Sequence, residues 1–95
     1  MSVYIVTWNL NKEGALYNST SRVLHGRLNK LETVRDTGLE TVRFVSTTMT
    51  SEELYNYTVS GILDSNDRIL VSKLNSKENF GLLDTSVWSW IEARF

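Results

Sequence analysis

The chain has 95 residues, of which 41% are hydrophobic, and its formal net charge is −1. This length suits one small domain over residues 1–95 with a single core, and no linker stretch divides it. The nearly balanced charge argues against a protein that holds nucleic acid through bulk positive charge, and the lack of cysteine excludes disulfides, thiolate zinc sites and cysteine nucleophiles.

Charge and hydropathy along the chain predict where the protein works. No apolar run approaches the length of a membrane span and no secretory signal opens the chain, so we expect a cytoplasmic protein that does not enter a membrane. Residues 1–47 contain six Lys or Arg against four acidic residues, whereas residues 48–95 contain four against seven. This asymmetry leaves room for a local basic face in the amino-terminal half.

The segment 2–12, SVYIVTWNLNK, predicts a β-strand that stops abruptly at polar residues. Neither side of the strand is plainly polar, which is typical of a central strand. Asn9, Asn11, Lys12 and Glu13 would then lie at its carboxyl end, a position where α/β proteins often build sites.

A helix is predicted over residues 15–30, after Gly14. Its packed stripe consists of Tyr17, Leu24 and Leu28, and Leu31 continues that stripe.

Four basic residues lie on this helix and in the loop before it: Lys12, Arg22, Arg27 and Lys30. They are candidates for contacts with the phosphates of RNA or DNA. The alternative is a solvated helix face that keeps the protein soluble.

The pentapeptide LETVR occurs twice, at residues 31–35 and 39–43, around Asp36-Thr37-Gly38. Two β-rich runs around a glycine-containing turn predict a hairpin whose second strand continues to Ser46.

Thr50 and Glu53 have the spacing of a capping box and predict a second helix that continues to about Leu63. Tyr57 is expected to point away from its packed face. The residues expected on that face are Leu54, Tyr55, Thr58, Val59 and Ile62.

A turn over residues 64–67 precedes a fourth strand over residues 68–74. The order strand, helix, hairpin, helix, strand predicts an α+β, ferredoxin-like βαββαβ sandwich, with both helices on one face of a four-stranded antiparallel sheet.

The tail predicts a short helix with Asp84 or Thr85 as its cap and with Val87, Trp88 and Ile91 on one side. A fifth strand is the alternative, because tryptophan and β-branched residues also suit a sheet.

The opening VYIVTWNLNK, the predicted order of elements, the acidic turn before RILVS and the tryptophan-rich end together carry a resemblance. The chain resembles the small bacterial SinR-family proteins, which are short Cas-two-like domains related in fold to the CRISPR adaptation protein Cas two and to virulence-associated protein D. This resemblance implies the ferredoxin-like fold and a homodimer, in a bacterial or phage protein. Some of these relatives are metal-dependent endonucleases or ribonucleases.

In the nucleases of this set, the first strand ends in an aromatic residue followed by a metal-binding aspartate. The corresponding pair here is Trp8-Asn9, and the next carboxylate is Glu13. A neutral amide is a weak ligand for Mg²⁺. We therefore expect no metal site and no cofactor. If nuclease chemistry persists, Mg²⁺ is required, and Asn9 and Glu13 are the candidate catalytic residues.

The aromatic residues Tyr4, Trp8, Trp88 and Trp90 could stack on nucleic-acid bases. The sequence favours instead that they cover the open sheet face, through the tail or through a second copy of the chain. His25, the only histidine, is expected on the surface, where it is structural or incidental rather than catalytic.

Three functions stay open: a non-catalytic homodimeric binding or scaffold module, a metal-dependent nuclease, and a regulatory or ligand-sensing domain.

Overall fold

Four antiparallel strands form one sheet in the computed structural model, which describes all 95 residues. Three helices complete the fold. In chain order the elements are β1 (Ser2–Asn9), α1 (Gly14–Asn29), β2 (Glu32–Val34), β3 (Val42–Thr47), α2 (Ser51–Val59), β4 (Arg68–Lys73) and α3 (Thr85–Glu92).

The strand order across the sheet is β2-β3-β1-β4. The β1-α1-β2 unit therefore has β3 between its two strands, and the β3-α2-β4 unit has β1 between its strands. Both are split βαβ units, the arrangement of the predicted ferredoxin-like fold. The prediction that β1 is central is confirmed, because it pairs with β3 on one side and with β4 on the other.

One face of the sheet packs against both α1 and α2, as predicted. Its core contains residues from β1, β3, both helices and the loop after β1: Tyr4, Val6, Trp8, Leu10, Leu24, Leu28, Val45 and Leu54. Leu24, Leu28 and Leu54 are fully buried, so each contributes about 1.5–3 kcal/mol through removal of apolar surface from water.

The second face of the sheet packs against the tail. Val3 and Phe44 from the sheet are buried against Val87 and Ile91 of α3. The tail is therefore the predicted helix rather than the alternative fifth strand. It begins after Asp84, although the Asp84 side chain makes no capping hydrogen bond.

The capping box of α2 is confirmed. The Thr50 hydroxyl accepts a hydrogen bond from the Glu53 N–H at 3.1 Å, and the Glu53 carboxylate accepts one from the Thr50 N–H at 2.9 Å. The helix ends at Val59 rather than near Leu63, because Gly61 adopts a left-handed conformation with φ of +77°.

Two helix faces differ from the prediction. In α2, Tyr57 packs toward the core with Leu54 and Thr58, whereas Tyr55 is exposed. Tyr57 points inward because its hydroxyl donates to the Arg27 carbonyl oxygen of α1 at 2.7 Å. In α1, Tyr17 is exposed, and Thr20 takes its place on the buried stripe.

The two copies of LETVR do not form a symmetric hairpin. The first copy supplies β2, but β3 begins only at Val42, so residues 35–41 form a loop. The buried Asp36 carboxylate holds this loop by accepting hydrogen bonds from the backbone N–H groups of Gly38 at 2.8 Å and Asp84 at 2.7 Å. β2 and β3 still pair antiparallel, so the predicted hairpin is confirmed, with a longer loop that this carboxylate anchors to the start of α3.

No helix is both long enough and apolar enough to cross a membrane.

Candidate functional site

The carboxyl end of β1 is the position where the resemblance places a metal site. Asn9 is exposed there and pairs in register with Arg68 of β4. The Arg68 guanidinium donates to the carbonyl oxygens of Ser65 at 2.8 Å and of Asp67 at 2.9 Å. Glu13 is the N-cap residue of α1, and its side chain makes no capping hydrogen bond.

This strand end is poorly suited to Mg²⁺. A neutral amide replaces the expected carboxylate, and a permanently charged guanidinium belongs to the neighbouring strand. No group of three or more His, Cys, Asp or Glu residues is placed to hold a metal ion. The residues present therefore do not fit the metal that the resemblance implies.

Lys12, Asp64 and Asp67 form an ion-pair cluster that we call the acidic-turn latch. The Lys12 ammonium pairs with Asp64 at 3.3 Å and also with Asp67, whose side chain is fully buried. The Asp67 carboxylate further accepts hydrogen bonds from the backbone N–H groups of Asn11 at 2.8 Å and of Asp64 at 3.0 Å. The latch fastens the loop after β1 to the turn before β4.

The contacts within the acidic-turn latch shift the pKa values of Asp67 and Lys12. Burial alone would raise the pKa of Asp67, but the hydrogen bonds from Lys12, Asp64 and Asn11 outweigh it and hold that pKa below its ordinary value. The hydrogen bond to Asp67 raises the pKa of Lys12. The N–H groups of Asp84 and Gly38 lower the pKa of Asp36 in the same manner.

These shifts predict a loss of stability in acid. A carboxylate whose pKa is lowered by folding stabilises the protein above its unfolded pKa of about 3.9, and this stability disappears as the pH falls through the folded pKa. We expect Asp67→Asn to lower the free energy of unfolding at about pH 7 and to reduce its further loss toward about pH 3. Urea unfolding at both pH values measures this.

Asp64→Asn is the matched control for the latch, because Asp64 is exposed and its pairing with Lys12 is longer. It should retain most of the pH dependence of the unmodified protein. An Asp67→Asn protein with an undiminished pH dependence would contradict the role assigned to the latch.

The four predicted nucleic-acid contacts do not form one free basic patch. Lys12 is neutralised in the latch. Arg27 donates to the carbonyl oxygens of Tyr57 at 3.3 Å and of Thr58 at 3.2 Å, and so joins α1 to α2. Arg22 and Lys30 are exposed. Two of the four candidates are therefore engaged in structural contacts.

The four predicted aromatic residues are divided between the two faces of the sheet. Tyr4 and Trp8 are buried on the helix-covered face, where the Tyr4 hydroxyl donates to the Met49 carbonyl oxygen at 2.8 Å. They therefore do not belong to a tail or dimer surface, because their positions in β1 place them opposite that face. Trp88 and Trp90 pack with the core on the tail-covered face, as predicted.

A groove of about 430 Å³ lies on the tail-covered face. Its floor includes Ile5 and Phe44 of the sheet, and its rim includes Phe80 and Leu82 from the segment before α3. Both rim side chains are fully exposed. The tail thus covers this face only in part and leaves apolar surface open beside it.

Arg35 and Arg43 lie near enough to His25 for their charges to act on its ring, and sequence reasoning missed this group of residues. Arg43 is 6% exposed and lies on the helix-covered face of β3 opposite Val6. Its guanidinium donates to Asn29 Oδ1 at 2.8 Å and to Thr33 Oγ1 at 3.2 Å.

His25 is half-buried, whereas the prediction places it on the surface. Its ring meets Trp8 edge to face, with 5.5 Å between the ring centroids. Burial lowers the pKa of His25, and the charges of Arg43 and Arg35 lower it further. The signal in the sequence was the LETVR repeat, which puts one arginine at the end of each copy, the first directly after β2 and the second in β3.

Comparison with known proteins returns no matching family model, no matching curated protein and no matching solved structure.

Proposed function

We propose that this chain is a non-catalytic, homodimeric binding or scaffold module of the Cas-two-like kind. The observation that carries the proposal is the open apolar groove on the tail-covered sheet face, with the fully exposed Phe80 and Leu82 at its rim. Exposed contiguous apolar surface on a small protein is typical of an interaction site.

A second copy of the chain is the occupant that we propose for this groove. In a two-fold dimer the same patch occurs on both partners, so the rim side chains of one copy can enter the groove of the other. The groove is lined mainly by aliphatic and aromatic side chains, which suits the apolar centre of an interface.

The chemistry at the end of β1 supports a module without nuclease activity. Asn9 supplies a neutral oxygen where a carboxylate is needed, and Arg68 lies across from it. Placing Mg²⁺ beside a guanidinium costs electrostatic energy, and the nearby carboxylates of Asp64 and Asp67 are already paired with Lys12. A cytoplasmic location is part of the proposal, because a chain without cysteine is suited to a reducing compartment.

Light scattering and a cleavage assay test this proposal together. We expect a particle of twice the chain mass of 10.9 kDa, and no Mg²⁺-dependent cleavage of RNA or duplex DNA. A monomer at micromolar concentration would contradict the dimer. Cleavage that needs Mg²⁺ and disappears in Asn9→Ala or Glu13→Gln would instead establish the nuclease alternative.

A further inference from the structure

We propose that Arg43, Arg35 and His25 form a binding site for a phosphate group, carried by a nucleotide or by a nucleic-acid strand. The site lies where α1 crosses the end of the β2–β3 pair. If the phosphate belongs to a nucleic-acid strand, the site names the partner of the proposed binding module and rests on that proposed function. Phosphate binding itself does not depend on the dimer.

The first argument is a buried guanidinium without a counter-ion. The ion pairs of the molecule involve Lys12 and Arg94, and none involves Arg43. Its two hydrogen-bond acceptors are neutral oxygens. Arg43 Nε is the one buried side-chain nitrogen or oxygen without a partner. A buried charge is costly unless it is paired, so this position favours an anion.

The second argument is a pair of like charges. β2 ends at Val34, which pairs with Phe44, so Arg35 directly follows the last pair of this register and Arg43 directly precedes Phe44 in β3. The positive charge of Arg35 lowers the pKa of Arg43 in addition to the effect of burial. Two like charges close to each other repel, and the repulsion is screened less where one of them is buried. An oxyanion between the two guanidiniums would turn this repulsion into two attractions.

The third argument is that side chains around these arginines have hydrogen-bond donors available for a ligand. Arg35 is exposed and can reach a ligand from solvent. His25 Nδ1 lies 3.3 Å from Ser21 Oγ, which leaves Nε2 for a ligand. Arg22 precedes His25 by three residues, so it belongs to the same side of α1 and can form the outer rim. Planar guanidinium groups match the oxygens of a phosphate in pairs.

The single histidine makes the site directly observable. Inorganic phosphate is titrated into the protein at constant ionic strength, with chloride as the compensating ion, while the His25 ring protons are followed by NMR. We expect a saturable shift of these resonances and a rise in the pKa of His25, because a bound anion opposes the effect of the arginines.

Arg35→Gln is the decisive variant, since this exposed residue can be changed without emptying the core. It should weaken phosphate binding about tenfold or more, which matches the loss of one charge-assisted contact. Lys73→Gln, an exposed substitution at the far end of β4, is the control and should bind like the unmodified protein. Arg43→Gln should abolish binding if it folds, as judged by its circular dichroism.

Two further ligands distinguish a nucleotide from a nucleic-acid strand as the carrier of the phosphate. A nucleoside 5′-monophosphate that binds while its nucleoside does not identifies a nucleotide site. An unphosphorylated oligonucleotide that shifts His25 with strong salt dependence identifies a nucleic-acid backbone. A histidine response that is not saturable, or that is equal in chloride or in Arg35→Gln, would overturn the site. The oligomeric state from light scattering reports separately on the dimer.

Discussion

Replacement of Ile91 by alanine should lower the free energy of unfolding by about 2–5 kcal/mol, one of the largest effects of any single substitution in this chain. Ile91 is 1% exposed and, with Val87, fixes α3 on Val3 and Phe44 of the sheet. Truncation removes buried methyl groups and leaves a cavity that a short helix cannot fill by itself. Urea unfolding monitored by circular dichroism measures the loss.

Ser89→Ala is the matched control for Ile91→Ala, because Ser89 belongs to the same helix and is exposed. Alanine favours a helix slightly more than serine, so this change should leave stability within about 0.5 kcal/mol of its original value. If Ile91→Ala were as neutral as Ser89→Ala, α3 would not be the cover of the second sheet face, and the proposed dimer surface would have to be reconsidered.

Much of the fold could be predicted from local patterns. An apolar run that stops abruptly at polar residues identified β1, and the Thr50–Glu53 spacing identified the start of α2. The tail helix was predictable because Val87, Trp88 and Ile91 lie on one side at helical spacing. These signals are short-range, and each concerns residues that lie within a few positions of one another.

The errors arose where a distant residue decides the structure. The face of α2 depends on the hydrogen bond from Tyr57 to Arg27, which is 30 residues away. The loop between β2 and β3 is held by Asp36, whose second hydrogen bond comes from Asp84, 48 residues away. No periodicity in the sequence reports such contacts.

The candidate sites show the same difference between local signals, which the sequence contains, and contacts between distant residues, which it does not reveal. Asn9 could be placed at the end of a central strand because the apolar run stops there. Its neighbour Arg68 could not be placed, because this needs the register between β1 and β4. The burial of Arg43 was equally hidden, since its partners Asn29 and Thr33 come from a helix and an edge strand.

We therefore expect the two faces of the sheet to bind different kinds of ligand. The face under α1 and α2 is closed mainly by apolar packing, and the Arg43 side chain is buried there with its Nε unpartnered. The face under α3 is closed only in part, and its remaining apolar surface borders solvent at Phe80 and Leu82. Partner binding is expected at the second face, and anion binding at the edge of the first.

Phe80→Ser combined with Leu82→Ser should convert the dimer that we propose into a monomer. Burial of each side chain at an interface contributes about 1.5–3 kcal/mol, and two-fold symmetry doubles the loss. The dissociation constant should therefore rise by about ten-thousandfold or more, since about 1.4 kcal/mol corresponds to a factor of ten. Analytical ultracentrifugation over a concentration series measures this change.

The stability of the monomer should hardly change in the double variant, because both side chains are fully exposed in the single chain. Leu16→Ser is the matched control: Leu16 is an exposed leucine on α1, the element that covers the opposite sheet face. It should leave the dimer intact. Loss of the dimer in both variants would point to a general effect on the fold, and persistence of the dimer in the double variant would place the interface elsewhere. Only selective loss in the Phe80 and Leu82 variant agrees with pairing through the open groove.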